Sequence, residues 1–195
     1  MTDTTDYRLE LFLAYDQAWA LAESVNASEL HDPTPCPAMD VSALLDHLVF
    51  AARRAAGLGR GQAPSSDFSA PHVELGDVAP AIRVAASESK EAWGDDASLT
   101  RTITMPGGET YPGSALAGVY LVEIATHAWD LAFATNTINL LDQELGEDAL
   151  ACAKATIRDD YRNAEGNPFG PVVEPPAEAT SWERLAAFMG RSPRR

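Results

Sequence analysis

Residues 114–134, SALAGVYLVEIATHAWDLAFA, form an almost wholly apolar run of helical spacing, and this run constrains the rest of the chain most tightly. Its strongly ionisable residues are Glu123, His127 and Asp130, at i, i+4 and i+7. At 3.6 residues per turn they fall within an arc of about 60°. Leu116, Val119 and Ala134 continue the same stripe, and Leu121, Val122, Ile124, Ala125, Trp129, Leu131 and Phe133 fill the remaining circumference. Such a helix is predicted to be buried nearly all round. A carboxylate or imidazole inside an apolar wall must find a charge partner, hydrogen bonds or a metal ion.

A chain of 195 residues with 46% hydrophobic content can surround that helix with a sizeable core. The expectation is a single domain over residues 1–195, with a C-terminal tail and short helix from about residue 163. The turn-rich segments 57–73 and 163–178 read as a long loop and the start of that tail. The formal net charge of −15 repels nucleic acid and anionic membranes, so neither is expected as a partner. Two cysteines, Cys36 and Cys152, do not make a disulfide framework. The opening MTDTTDYRLE has no basic region followed by an apolar one, and Glu123, His127 and Asp130 interrupt the best membrane-spanning candidate. A cytoplasmic location is expected.

Helical periodicity dominates. A first helix is expected from about residue 7 to 25, with Leu9, Phe12, Leu13 and Ala20 on its inner face. The prolines of HDPTPCP break it. Asp40 is placed to cap a second helix, in which Val41, Leu44, Leu45, Leu48, Val49 and Ala52 make a clear amphipathic stripe ended by Gly57 or Gly59. A third helix is read over 77–93, with Pro80 in its first turn. TRTITM alternates and is followed by PGGE, so residues 100–105 and 110–111 read as a short hairpin. The central helix follows, with Ser114 as its cap, then a fifth helix over 142–158. A capping box from Thr180 to Glu183 opens a final short helix that Gly190 ends. The class is all-α with a minor β-hairpin, and the architecture a helix bundle.

Glu123 and His127 present an oxygen and a nitrogen on one helical face, which is a chelating pair. A third ligand must come from another helix. Of the four histidines, His31 and His72 lie in Pro-rich loops, whereas His47 sits on the flank of the second helix, where it would face an interhelical groove. His47, Glu123 and His127 therefore form a candidate His₂-carboxylate metal site with at least one position left for water or substrate. Asp130 is placed to orient an imidazole or accept a proton, and Asp46 reads as a solvated charge. The same residues also admit a buried polar network without metal, and His47 a hydrogen bond to a carbonyl. Trp19 and Trp129 read as core aromatics, Cys36 as a small buried hydrophobe, and Tyr120 as packing near the Glu123 stripe. Leu44, Tyr120 and Ile124 are candidates for water-excluding walls.

The run PTPCPAMDVSALLDHLV resembles the first signature of the mycothiol-dependent maleylpyruvate isomerase-like proteins of the DinB-like metal-binding superfamily. VEIATHAWDLAFAT is similar to their second motif, E-x-x-x-H-x-W-D-L-A, and FGPVVEPPAEATSWERLAAFMGRSP resembles the tail of a short metal-binding subgroup. Met39 stands where the family usually has tryptophan. The resemblance implies a DinB-like four-helix bundle holding a divalent metal, typically zinc or nickel, with His47, Glu123 and His127 as ligands by position. The isomerases also carry a C-terminal domain that gives an arginine to the substrate site. Only about 40 residues follow the fifth helix here, too few for a typical independent domain, so the specific isomerase activity is not implied.

The expected function is that of a metal-dependent transferase or isomerase using a low-molecular-weight thiol such as mycothiol on a small electrophile, with Asp130 as a catalytic aid. Two alternatives are a metal-dependent hydrolase and a non-catalytic metal-binding stress-response module. A homodimer is a further expectation, since apolar helix faces of bundles often pair.

Overall fold

A computed structural model describes residues 5–67, 69–157, 162 and 170–193. The elements are α1 (Arg8–Ser24), α2 (Val41–Gly59), α3 (Leu75–Trp93), α4 (Ala97–Thr100), β1 (Thr102–Thr104), β2 (Thr110–Pro112), α5 (Gly113–Ala134), α6 (Gln143–Thr156) and α7 (Ser181–Phe188). In the bundle, α1 packs on α3 and α5, α2 packs on the same two helices, and α1 and α2 lie diagonally opposed. α6 lies along α5, and α7 packs on both α6 and α5. The central helix is thus enclosed from two directions, which is why its sequence is apolar all round. Among the described residues no helix is long and apolar enough to cross a membrane.

α2 forms as its sequence predicts. The Asp40 side chain accepts from the Ala43 N–H, and Val41, Leu44, Leu45, Leu48, Val49 and Ala52 are all buried. α1 corrects the expected face: Leu9 is 65% exposed and Leu13 44%, whereas Leu11, Ala14, Tyr15, Ala18, Leu21 and Ala22 are buried. Apolar residues occur on both sides of this helix, so periodicity alone does not rank them. The buried set keeps the i, i+3, i+4, i+7 spacing, and the Tyr15 hydroxyl is satisfied by Ser89 Oγ at 2.9 Å.

α3 begins two residues earlier than the sequence suggests, so Pro80 falls in its second turn. α4 is a turn that the sequence does not announce. β1 and β2 pair antiparallel as Thr102↔Pro112, Ile103↔Tyr111 and Thr104↔Thr110. Their turn closes through Met105 N–H donating to the Glu109 carbonyl at 2.8 Å, with Gly108 at φ 93°. β2 then runs straight into α5. Pro112 occupies the N-cap position without a side-chain cap, and Ser114 lies inside the helix rather than capping it. Gly113 N–H donates to the Arg101 carbonyl at 2.8 Å, and a Cβ at Gly113 would collide with the Ser98 carbonyl oxygen.

Asp142 caps α6 by accepting from Glu144 N–H. The expected end of that helix at Arg158 and the first part of the tail, 163–169, lie outside the described residues. The Thr180–Glu183 capping box is present on α7, and Gly190 leaves the helix at φ 81°. Trp182 Nε1 donates to the Asp142 carbonyl at 2.6 Å and fixes α7 against the start of α6.

The junction at Gly113 gives a test of how α5 is seated. Gly113→Ala is expected to destabilise the fold by about 1–3 kcal/mol, read as a lowered midpoint in urea unfolding. Gly76→Ala, where an added Cβ meets nothing within 4 Å, is the matched control.

Candidate metal centre

α2 and α5 pack so that His47 faces Glu123 one helix across. His47 Nε2 lies 2.9 Å from Glu123 Oε1, and His127 Nε2 lies 3.6 Å from the same oxygen. The two imidazoles stand edge to face, with ring centroids 4.7 Å apart and an interplanar angle of 75°. One donor atom from each residue falls within 4.8 Å of the other two. Donors around a tetrahedral cation with bonds of about 2.0–2.1 Å sit about 3.3 Å apart. The Glu123 distances of 2.9 and 3.6 Å bracket that value, so the donor set fits a divalent metal. Side-chain exposure is 19% at His47, 25% at Glu123 and 7% at His127, so access is from the His47–Glu123 side.

Behind His127 the chain continues inward. His127 Nδ1–H donates to Asp130 Oδ2 at 3.0 Å, and the Asp130 side chain is fully enclosed. Arg191, three residues past the end of α7, closes on Asp130 with Nη2 3.2 Å from Oδ2 and Nε 3.4 Å from Oδ1. Arg191 is itself held by Nη1 donating to the Met189 carbonyl at 2.9 Å. Burial works against a charged His127, but its hydrogen bonds with Asp130 and Glu123 outweigh that cost and push its pKa up to about 10. Burial likewise opposes the Glu123 carboxylate, yet the hydrogen bonds from His127 and His47 hold its pKa well below the usual carboxylate range. Without metal, the centre is a compact ion network.

The structure thus brings together His47, Glu123, His127 and Asp130, as the sequence suggested. It leaves His31 outside, 3.7 Å from Asp40, and His72 on the surface. Asp46 is corrected: its side chain is only 12% exposed, accepts from Val73 N–H at 2.8 Å and pairs with His72 Nδ1 at 3.0 Å. The loop after α2 folds back along that helix and covers it. Leu44 and Ile124 are core residues, and Tyr120 is half-buried. Cys36 is also only half-buried, and its sulfur lies within 4.8 Å of a donor atom on each of His127 and Asp130. Arg191 had no sequence signal. It sits in a Pro- and Arg-rich tail, 61 residues from its partner.

Two outcomes follow from this network. His127 has a folded pKa near 10 against 6.5 for the free side chain. Its contribution to the stability of metal-free protein is therefore complete below about pH 6.5 and is lost as pH rises through about 10. Thermal midpoints of chelator-treated protein should fall across that window, and Asp130→Asn should flatten the slope. Arg191→Ala strands the Asp130 carboxylate without its guanidinium and should cost about 3–5 kcal/mol, measured by denaturant unfolding.

Comparison with known proteins finds relatives of this fold. The sequence profile described as Mycothiol maleylpyruvate isomerase N-terminal domain matches residues 11–132. An uncharacterised protein of Mycobacterium tuberculosis, found in strains H37Rv and CDC 1551, is 34% identical over 181 residues, covering 93% of this chain and 95% of its own length. Two crystal structures of the mycothiol-dependent maleylpyruvate isomerase, one of them a point mutant, superpose with TM-scores of 0.57 and 0.58. Their sequence identity is 15% and 14%, with 80% of this chain and 70% of theirs covered.

Proposed function

Because the chain belongs to the mycothiol maleylpyruvate isomerase N-terminal domain family, we propose that it is a metal-dependent transferase or isomerase that uses a low-molecular-weight thiol of the mycothiol type on a small electrophile. The observation that carries this reading is the convergence of His47, Glu123 and His127 from two helices, open on one side only. These three would hold a divalent cation: the chemistry of the set suits zinc, nickel, iron(II) or manganese, and the family resemblance favours zinc or nickel. Such a cation supplies Lewis acidity that favours the thiolate form of a thiol reaching it.

The protein's own groups prepare that chemistry. Asp130 takes the Nδ1–H of His127, which fixes the tautomer and aims Nε2 into the centre. Asp130 is fully enclosed and its carboxyl is held by Arg191 on one side and His127 on the other, so it is a positioning residue rather than one that touches substrate. Glu123 accepts from His47 and is paired with His127 before any cation arrives, so the carboxylate oxygen is already placed between the two rings. The half-buried Tyr120 and Phe50 flank the open side.

Elemental mass spectrometry of the untagged chain beside His47→Ala and His127→Ala tests the centre. Near-stoichiometric metal in the wild type, lost in both variants, is expected. Wild type that takes up none after reconstitution overturns the reading. In the metal-loaded protein, turnover of an electrophile should require added thiol, whereas thiol-independent hydrolysis would replace thiol transfer as the activity. Asp130→Asn is expected to weaken metal affinity about 10–100-fold, measured by competition with a chromogenic chelator.

A further inference from the structure

The loop that leads into α2 brings a thiol beside His127. Cys36 stands between Pro35 and Pro37, whose rings restrict the backbone on either side of it. Thr34 staples this turn: its hydroxyl accepts from Cys36 N–H at 3.1 Å and donates to the Met39 carbonyl at 2.7 Å. Met39 N–H in turn donates to the Cys36 carbonyl at 3.0 Å. The loop's own bonds therefore set where Cys36 lies. Its sulfur is within 4.8 Å of a donor atom on each of His127 and Asp130, and those two side chains are 3.0 Å apart at Nδ1 and Oδ2. Cys36 is half-buried, so solvent reaches it. The other cysteine differs. Cys152 is fully enclosed, its thiol donates to the Gly118 carbonyl at 3.4 Å, and burial pushes its pKa up to about 12.

We propose that Cys36, His127 and Asp130 form a second cation site, one for thiophilic metals, that shares His127 with the His47–Glu123–His127 set. Thiolate is a soft donor and imidazole a borderline one, so the set favours cations such as cadmium(II) or copper(I) over magnesium or calcium. Bonds of about 2.3 Å to sulfur and 2.0–2.1 Å to nitrogen put those two donors about 3.6 Å apart. A turn of the Cys36 side chain brings its sulfur into that range. A carboxylate offers about four lone-pair positions. Bonds from His127 and Arg191 use three of those on Asp130, which leaves one for a cation. The thiolate supplies the negative charge that Asp130 already shares with Arg191. Binding releases to solvent the thiol proton and the proton that His127 gives to Asp130. A cation here takes the place of the hydrogen bond that aims His127 Nε2 at the first set. The site uses neither His47 nor Glu123, so it stands whether or not the first set holds metal.

The test is titration of the full metal-free chain with cadmium(II), read by the ultraviolet thiolate-to-cadmium charge-transfer band that oxygen and nitrogen ligands do not give. In wild type the band should saturate at a single equivalent. Cys36→Ser should lose it, and Cys152→Ser should keep it. His127→Ala and Asp130→Asn should each weaken cadmium binding about 10–100-fold. His47→Ala removes a ligand of the first set alone and should keep the band, so failure of that set is read separately from failure of this one. No band in wild type, a band unchanged in Cys36→Ser, or equal cadmium affinity in wild type and His127→Ala overturns the proposal. Should His127→Ala fail to fold, the His127 ring resonances of His47→Ala are followed by NMR through the same titration. They should shift in step with the band, and a band without that shift overturns the proposal equally.

Discussion

The enclosure of α5 is the constraint on which the rest depends. With α1 and α2 on one side and α6 and α7 on the other, ionisable groups on this helix cannot rely on water. They satisfy one another instead. The Glu123 and Asp130 side chains pair with the imidazoles of His47 and His127 and with the Arg191 guanidinium, one group linked to the next from the open side of the centre to its back.

Much of the centre was legible because it is written locally. Glu123, His127 and Asp130 share one helix, so 3.6 periodicity alone puts them on one face. His47 could be chosen because it is the histidine on the flank of an amphipathic helix, and the family motifs point to the same residues. What was not legible is long-range. Arg191 reaches Asp130 only because α7 docks on α5 and α6, which nothing in the tail's composition encodes. Asp46 read as solvated because the return path of the following loop is a tertiary fact. The inner face of α1 escapes the sequence pattern for a related reason: its apolar residues surround the helix, and the neighbours rather than the pattern select which are covered.

The tail also alters how the resemblance to larger isomerases is understood. The sequence suggested that an arginine from a separate domain had no counterpart. In the fold, a segment three residues beyond a short helix carries an arginine to the back of the centre and fixes the residue that holds His127. Its contact is with Asp130, a fully enclosed side chain, and so it belongs to the support of the site.

The direct splice of β2 into α5 has a consequence for how this centre can vary. Since Pro112 is both the last strand residue and the N-cap, no slack separates hairpin register from helix rotation. The hairpin acts as an index that sets the angular phase of the helix. One residue gained in the turn at 106–109 would be absorbed there, whereas one gained at the splice would swing Glu123 and His127 about 100° from His47. A change of length is thereby tolerated at the turn and not at the splice, and the small sheet is the part that keeps a long helix facing the right way.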